Sequence, residues 1–294
     1  MGRGLRRHPW RPIALGCGGA LGFVLVIGAL LAIYAMDFAQ RQVTVRVGAT
    51  GAATRLDVSA QVVSVDPIKE EVVLLLAFAP QGDLTDDGGS TVNRPIRVHV
   101  TGPRGGHVLL FDSGAHMDPG TVLLSVDTDA ATDYPFDDVE LIVGLWAEWR
   151  DGTVAGSIPV ASRWRSELSG MNVEFEGREG GAAARDGTEV RLSVFRTTTV
   201  RAFAVAVMIV MWAVGLTIVR LVYVIVRNPR RPDFTMVNFA AALIFGFWAL
   251  RNSLPGTPPV GTLSDFLSFF WAEAIAASAI VILLSTWISR WGKD

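Results

Sequence analysis

The sequence predicts a membrane α plus all-β fold: four transmembrane helices and, between the first and second, an extracytoplasmic antiparallel β-sandwich. Three observations carry this. Four apolar stretches come close to or exceed the roughly 20 residues that cross a bilayer core. Basic clusters fall on one side of all four. Between the first two stretches the apolar period changes from helical to two. Composition agrees, because the 294 residues are 50% hydrophobic and only 18% charged, against about 25% charge in a soluble domain. The mean hydropathy is +0.39.

The first stretch, 12–36, follows a basic N-terminus at 1–11 carrying Arg3, Arg6, Arg7 and Arg11. Basic flanks stay in the cytoplasm. No charged residue lies between Pro12 and Met36, and the stretch exceeds the 7–15 apolar residues of a cleavable signal. It is therefore expected to be an uncleaved anchor. Ala14-Leu15-Gly16-Cys17 resembles a lipid-attachment box, but most of the apolar stretch follows Cys17, so lipidation is not expected. Cys17 is the only cysteine, so no intramolecular disulfide staples the exported part and an apolar core has to hold it.

Within 37–199 apolar residues alternate with polar ones. The runs are Val43/Val45/Val47, Leu56/Val58/Ala60/Val62, Val72/Leu74/Leu76/Phe78, Ile96/Val98/Val100, Val139/Leu141/Val143/Leu145, Val173/Phe175 and Val190/Leu192/Val194. Alternation marks strands with one face in a core and the other in water. Turn-forming clusters separate the runs at Asp66-Pro67, 82–90, 101–106, Asp151-Gly152 and 179–187, the last being the expected mobile loop. Seven or more such strands make a sandwich.

The second span covers 200–226 and runs into a basic loop at 227–233. The third covers 234–250, an outer loop 251–265 follows, and the fourth span covers 266–288 before a tail at 289–294. With the N-terminus inside, the basic start, the 227–233 loop and the tail with Arg290 and Lys293 all lie in the cytoplasm, which satisfies the positive-inside rule. Both termini are then cytoplasmic, in the plasma membrane. Trp164, Trp248, Trp271, Trp287 and Trp291 read as interfacial anchors. Arg227, Arg230 and Arg231 are placed either to touch anionic lipid heads, at roughly 1 kcal/mol each, or simply to set topology.

No stretch identifies a reaction. Asp83-Leu84-Thr85-Asp86-Asp87-Gly88 resembles half of a calcium loop, but Arg94 occupies the position where such a loop needs glutamate. His99, His107 and His116 lack metal-ligand spacing. The acids Asp127, Asp129, Asp133, Asp137, Asp138 and Glu140 surround Tyr134-Pro135-Phe136-Asp137, which reads as the turn before a long strand, with Phe136 plugging the core edge. It is also a candidate coupling turn toward the membrane part. No phosphate loop, nucleophile elbow or zinc-protease helix is present, so no cofactor, metal or catalytic residue is expected. A net charge of −2 gives no basis for binding nucleic acid.

The membrane part carries the unusual charges. Arg201 opens the second span, Arg251 closes the third, Asp265 precedes the fourth and Glu273 lies about two turns into it. A charge at bilayer centre costs about 2.5–3.5 kcal/mol, so such groups pair or face water. Glu273 is expected either to pair with Arg251 or Arg201 in the bundle or to reach the headgroups.

Tyr134-Pro135-Phe136-Asp137, Arg231-Pro232-Asp233, Ala240-Ala241-Ala242-Leu243, Leu250-Arg251-Asn252, Pro255-Gly256-Thr257-Pro258-Pro259-Val260-Gly261, Asp265 and Phe270-Trp271-Ala272-Glu273 together resemble an actinobacterial membrane family, domain of unknown function 4436. The resemblance implies the same architecture in a mycobacterial-type envelope, and no activity. The Tyr-Pro-Phe-Asp turn and the 254–259 link are also similar to those of pentameric ligand-gated channels. The sequence departs from that pattern in its extra first helix, its missing cysteine loop and its bulky Phe239, Phe245, Phe247 and Trp248. The expected role is non-catalytic docking or assembly at the outer face, with the bilayer and a lipid, an envelope protein or a further copy as partner. The alternative is a channel-like oligomer.

Overall fold

In the computed structural model, residues 44–290 are described apart from 87–88, 127–129, 152, 179–185 and 229–233, together with Gly28, Ala32 and Ala35. The rest of the predicted first span, Cys17, most of the 179–187 loop, Asp127, Asp129, Arg230, Arg231 and residues 291–294 of the tail lie outside the described residues.

Among the described residues, eleven strands form two sheets. They are β1 (Val45–Gly48), β2 (Arg55–Asp66), β3 (Glu71–Gln81), β4 (Ile96–Gly102), β5 (Gly105–Phe111), β6 (Gly120–Ser125), β7 (Asp138–Asp151), β8 (Val154–Ile158), β9 (Val160–Ser166), β10 (Met171–Arg178) and β11 (Thr188–Arg196). One sheet runs β1-β9-β2-β3-β6 and the other β10-β11-β7-β4-β5, with β8 beside β7. Strict alternation explains the pairing. Leu56, Val58, Ala60 and Val62 of β2 and Val72, Leu74 and Leu76 of β3 turn into one core against Val98, Val100, Val143, Leu145, Val190 and Leu192 of the facing sheet.

The sandwich departs from a purely antiparallel one at a single pair, since β2 and β9 run parallel from Leu56 opposite Val160 to Val62 opposite Ser166. Nearly a hundred residues separate them, ample for the long crossover a parallel pair needs. Trp164 of β9 is also not an interfacial anchor. It is fully buried in the sandwich core, and its indole N–H donates to Ser162 Oγ at 3.0 Å. A buried indole requires such a partner.

Three helices follow, each long and apolar enough to cross a membrane: α1 (Thr198–Arg227), α2 (Phe234–Asn252) and α3 (Phe270–Ser289). Strand β11 ends two residues before α1, and Thr197 caps that helix through Val200 N–H. The sandwich therefore joins the bundle with no linker. Helix α3 is preceded by a π-turn at Asp265–Phe269. Widened turns leave carbonyls free, and here Trp212 Nε1 donates to Leu267 O at 2.8 Å and Trp271 Nε1 to Phe266 O at 2.9 Å. A second core, separate from the sandwich core, runs along the helices through Met211, Ile218, Ala240, Phe247, Ala276 and Leu283.

Candidate functional site

The chemistry-bearing side chains meet at the seam between the sandwich base and the helix bundle. A 3-10 turn at Ala130–Asp133 leads into a cis peptide between Tyr134 and Pro135, and β7 starts at Asp138. This turn delivers Tyr134 out of the sandwich and into the helical core, where it is 1% exposed. The assignment of Phe136 as the plug needs correcting: it is half exposed, and Tyr134 takes the buried place. The carbonyl of Tyr134 accepts from Ser264 N–H at 3.2 Å, so the turn is bonded directly to the α2–α3 link.

Asp137, the turn's last residue, is buried and accepts a bifurcated bond from Arg196 Nε at 3.0 and 2.9 Å. Arg196 is the final residue of β11 and lies over the Tyr134 ring at 5.1 Å. Its guanidinium also abuts Gly256 of the link: a Cβ there would fall 2.5 Å from Arg196 Nη1, and the glycine's φ of +79° is itself one that side chains avoid.

The second ion pair lies in the link. Arg251 donates to both oxygens of Asp265 at 3.1 Å and to Pro259 O at 2.6 Å, and Asp265 accepts Gly261 N–H at 2.8 Å. Both side chains are almost fully buried. This corrects the expected pairing, because Arg251 is taken by Asp265 and Glu273 joins no ion pair among the described residues. Helix geometry explains the choice. The link folds back over the end of α2 and brings Asp265 to Arg251, whereas Glu273 is two turns further along α3. Arg201 pairs with neither acid; its guanidinium lies over Phe195 at 5.5 Å. Arg227 is exposed at the far end of α1, stacked over Tyr223 at 4.8 Å.

Around the Arg196–Asp137 pair opens a cavity of about 460 Å³. Its walls come from the β2–β3 turn (Asp66, Pro67, Ile68), the β9–β10 connection (Leu168, Ser169), the Tyr134 turn and link residues 256–259. Both acids in the wall are occupied. Asp66 accepts Ile68 and Lys69 N–H at 3.0 and 3.2 Å, and Asp137 is held by Arg196. The Arg196 amino groups take no part in that pair, and Arg196 lines the cavity.

Burial pushes the Tyr134 phenol up to about 12 from its usual 10, with Arg196 opposing and Asp137 adding to the rise. A raised phenol pKa favours the neutral form in the folded state. Its stabilising contribution is complete below pH 10 and disappears as pH approaches 12. A difference absorbance titration of wild type against Tyr134→Phe should show one tyrosine ionising late, together with loss of the sandwich–bundle contact. Ionisation near pH 10 would refute the burial described.

The histidines do not converge. His99 stacks on Trp146 at 3.6 Å with Glu148 beside it, His107 Nε2 contacts Leu123 O, and His116 lies near Asp118 on the surface. Among the described residues no group of three or more His, Cys, Asp or Glu could hold a metal ion. In the 82–90 loop, Asn93 Nδ2 bridges Asp83 O and Asp86 Oδ1.

Family profiles match the chain in two adjoining blocks, a domain of unknown function (DUF4436) over residues 46–194 and another (DUF8686) over 196–290. No curated protein matches. The two blocks meet at the seam: Asp137 belongs to the first and Arg196 opens the second.

Proposed function

We propose that this chain, which belongs to the DUF4436 family, is a multi-pass plasma-membrane protein whose outer sandwich is a non-catalytic docking module for phospholipid headgroups. One observation carries the reading: Arg196 is nine-tenths buried, already anchored through Nε with its amino groups outside that pair, and lines a cavity walled by apolar and polar residues alike. A planar guanidinium fork matches a phosphate. The apolar walls at Pro67, Ile68, Leu168 and Pro258 suit the glycerol region of an amphiphile.

The placement follows from charge. With four spans, the first at 12–36, the Arg227 and Arg290 ends face the cytoplasm and the seam lies at the outer headgroup level. The pairing of Arg251 with Asp265 leaves the outer link without net charge, in keeping with the positive-inside rule. A reporter inserted in the 112–119 connection should read the outer side; a cytosolic signal would remove the orientation.

The cavity itself is tested by mass spectrometry of phospholipid retained after mild-detergent extraction. Wild type should retain phospholipid and Arg196→Lys should lose most of it at unchanged thermal stability, because lysine keeps the charge for Asp137 but not the fork. Equal retention by the two proteins, or an envelope polypeptide found in place of lipid, would reject a headgroup site.

A further inference from the structure

We propose that the bundle associates head to tail with further copies of this chain, Arg220 of one copy pairing with Glu273 of the next inside the bilayer. The inference rests on the membrane placement above and does not depend on what fills the seam cavity.

Arg220 lies seven residues before the basic end of α1, exposed among Leu216, Val219, Tyr223 and Val224. The buried seam of α1 follows Met211, Gly215, Ile218 and Val222. Position 220 is two residues from both Ile218 and Val222, and so projects from the opposite side of the helix. No hydrogen bond or ion pair engages it among the described residues. Helical side chains lean toward the N-terminus, which carries the Arg220 guanidinium away from the cytoplasmic headgroups and toward the bilayer middle. An arginine within a span marks a candidate functional site, and a counter-charge is its natural partner.

Among the described residues no acid of its own chain pairs with it. The stretch between Pro12 and Met36 carries no charge, and Asp265 is committed to Arg251. Glu273 is half-buried and likewise unengaged among the described residues. It follows Phe269 by one turn, on the side where Phe269 meets Trp248 of α2 at 5.4 Å, so it opens on the α2–α3 groove. Helix α3 lies between α1 and α2, which puts the arginine and the glutamate on different faces of one bundle. Complementary charges on different faces meet between copies in a heterologous contact, which forms a ring where the rotation closes.

Depth agrees. Ser268 Oγ lies 3.7 Å from Met211 Sδ, Ile275 touches the Gly215 position, and Arg290 bonds the Ile225, Val226 and Asn228 carbonyls. By these markers Glu273 is level with about residues 214–215 of α1. Arg220 lies five or six residues lower, roughly 8 Å at 1.5 Å per residue, and its outward lean covers that difference. The outer face of α2 is also fit for close approach: Ala242 and Ala249 are exposed, and a Cβ on Gly246 would meet nothing.

The test uses the full chain, co-expressed with two different tags, extracted in mild detergent and reconstituted in phospholipid bilayers. Co-capture between tags and native mass are read together. Wild type should give one multimeric mass. Arg220→Met or Glu273→Gln alone should cut co-capture at least about tenfold, and the reversed pair Arg220→Glu with Glu273→Arg should restore it. Thermal unfolding of the sandwich serves as the folding control, and retained phospholipid on the same samples reports the seam site separately. Wild type that stays monomeric in bilayers, or multimers that survive either single substitution, would overturn the pairing. A chain that needs no detergent would overturn the membrane placement instead.

Discussion

Asp265→Ala is expected to lower the stability of the protein by roughly 3–5 kcal/mol, the usual cost of stranding one member of a buried ion pair. Arg251 is 5% exposed and Asp265 fully buried. Removing the carboxylate leaves a guanidinium with only Pro259 O and a long contact to Asn252 Oδ1, and it also strips Gly261 N–H of its acceptor. Arg251→Met should cost about as much, because it strands the carboxylate instead. The two losses should not add. The double variant Arg251→Met/Asp265→Leu should recover most of the stability, since an apolar replacement of a buried pair is often neutral. Thermal unfolding in detergent and in bilayers measures all three. Additive single losses would show that the two groups act independently. Glu273→Gln is a useful contrast: it takes no bond from the link, so it should leave this transition in place.

Much of this fold was legible because its physics is local. Strands β2, β3, β4, β7 and β11 expose one face and bury the other, and their alternation appears directly in the residues. Strands β5 and β8 lie at or near sheet edges with mostly exposed residues, so no apolar period marks them. In β6, Val122-Leu123-Leu124 is a continuous apolar run although only Val122 and Leu124 turn inward, and the run hides the period. Strand β9 is hidden in the sequence for a different reason. Its inward residues are Val160, Ser162 and Trp164, and a tryptophan beside arginines looks the same in sequence at a membrane interface as in a sandwich core.

The site was legible in part. Composition marked Tyr134–Asp137 as a special turn, but only tertiary packing decides that the tyrosine and not the phenylalanine is swallowed. Likewise, charge patterning brought out Arg251, Asp265 and Glu273 together. Choosing between the two acids required the path of a link rich in proline and glycine, which no periodicity describes. Arg196 carried a signal that could have been read: a cation at the last position of a strand, two residues before an apolar helix, has little room to reach water. Arg220 carried a plainer one, a charge seven residues inside the end of an apolar span.

The second large effect is expected at Asp137. Substituting leucine should cost roughly 3–5 kcal/mol, because Arg196 would be left nearly buried with no counter-charge, held only by the Tyr134 ring, a contact worth about 0.5–2 kcal/mol. The loss should also be local. The sandwich core from Leu56 to Val194 and the helical core from Ala204 to Leu283 are separate clusters, and this seam joins them through Tyr134, the Ser264 bond and the Arg196–Asp137 pair. Hydrogen exchange should therefore rise first at the link 253–264 and in the opening turns of α1, while β3, β4 and β7 keep their protection. Asp137→Leu combined with Arg196→Met should restore protection at the seam, since neither charge then remains buried alone. Protection lost evenly across both sheets would mean that Asp137 supports the sandwich itself. An unchanged seam would mean that covalent continuity from β11 into α1, with no linker between, is enough to hold the two parts together.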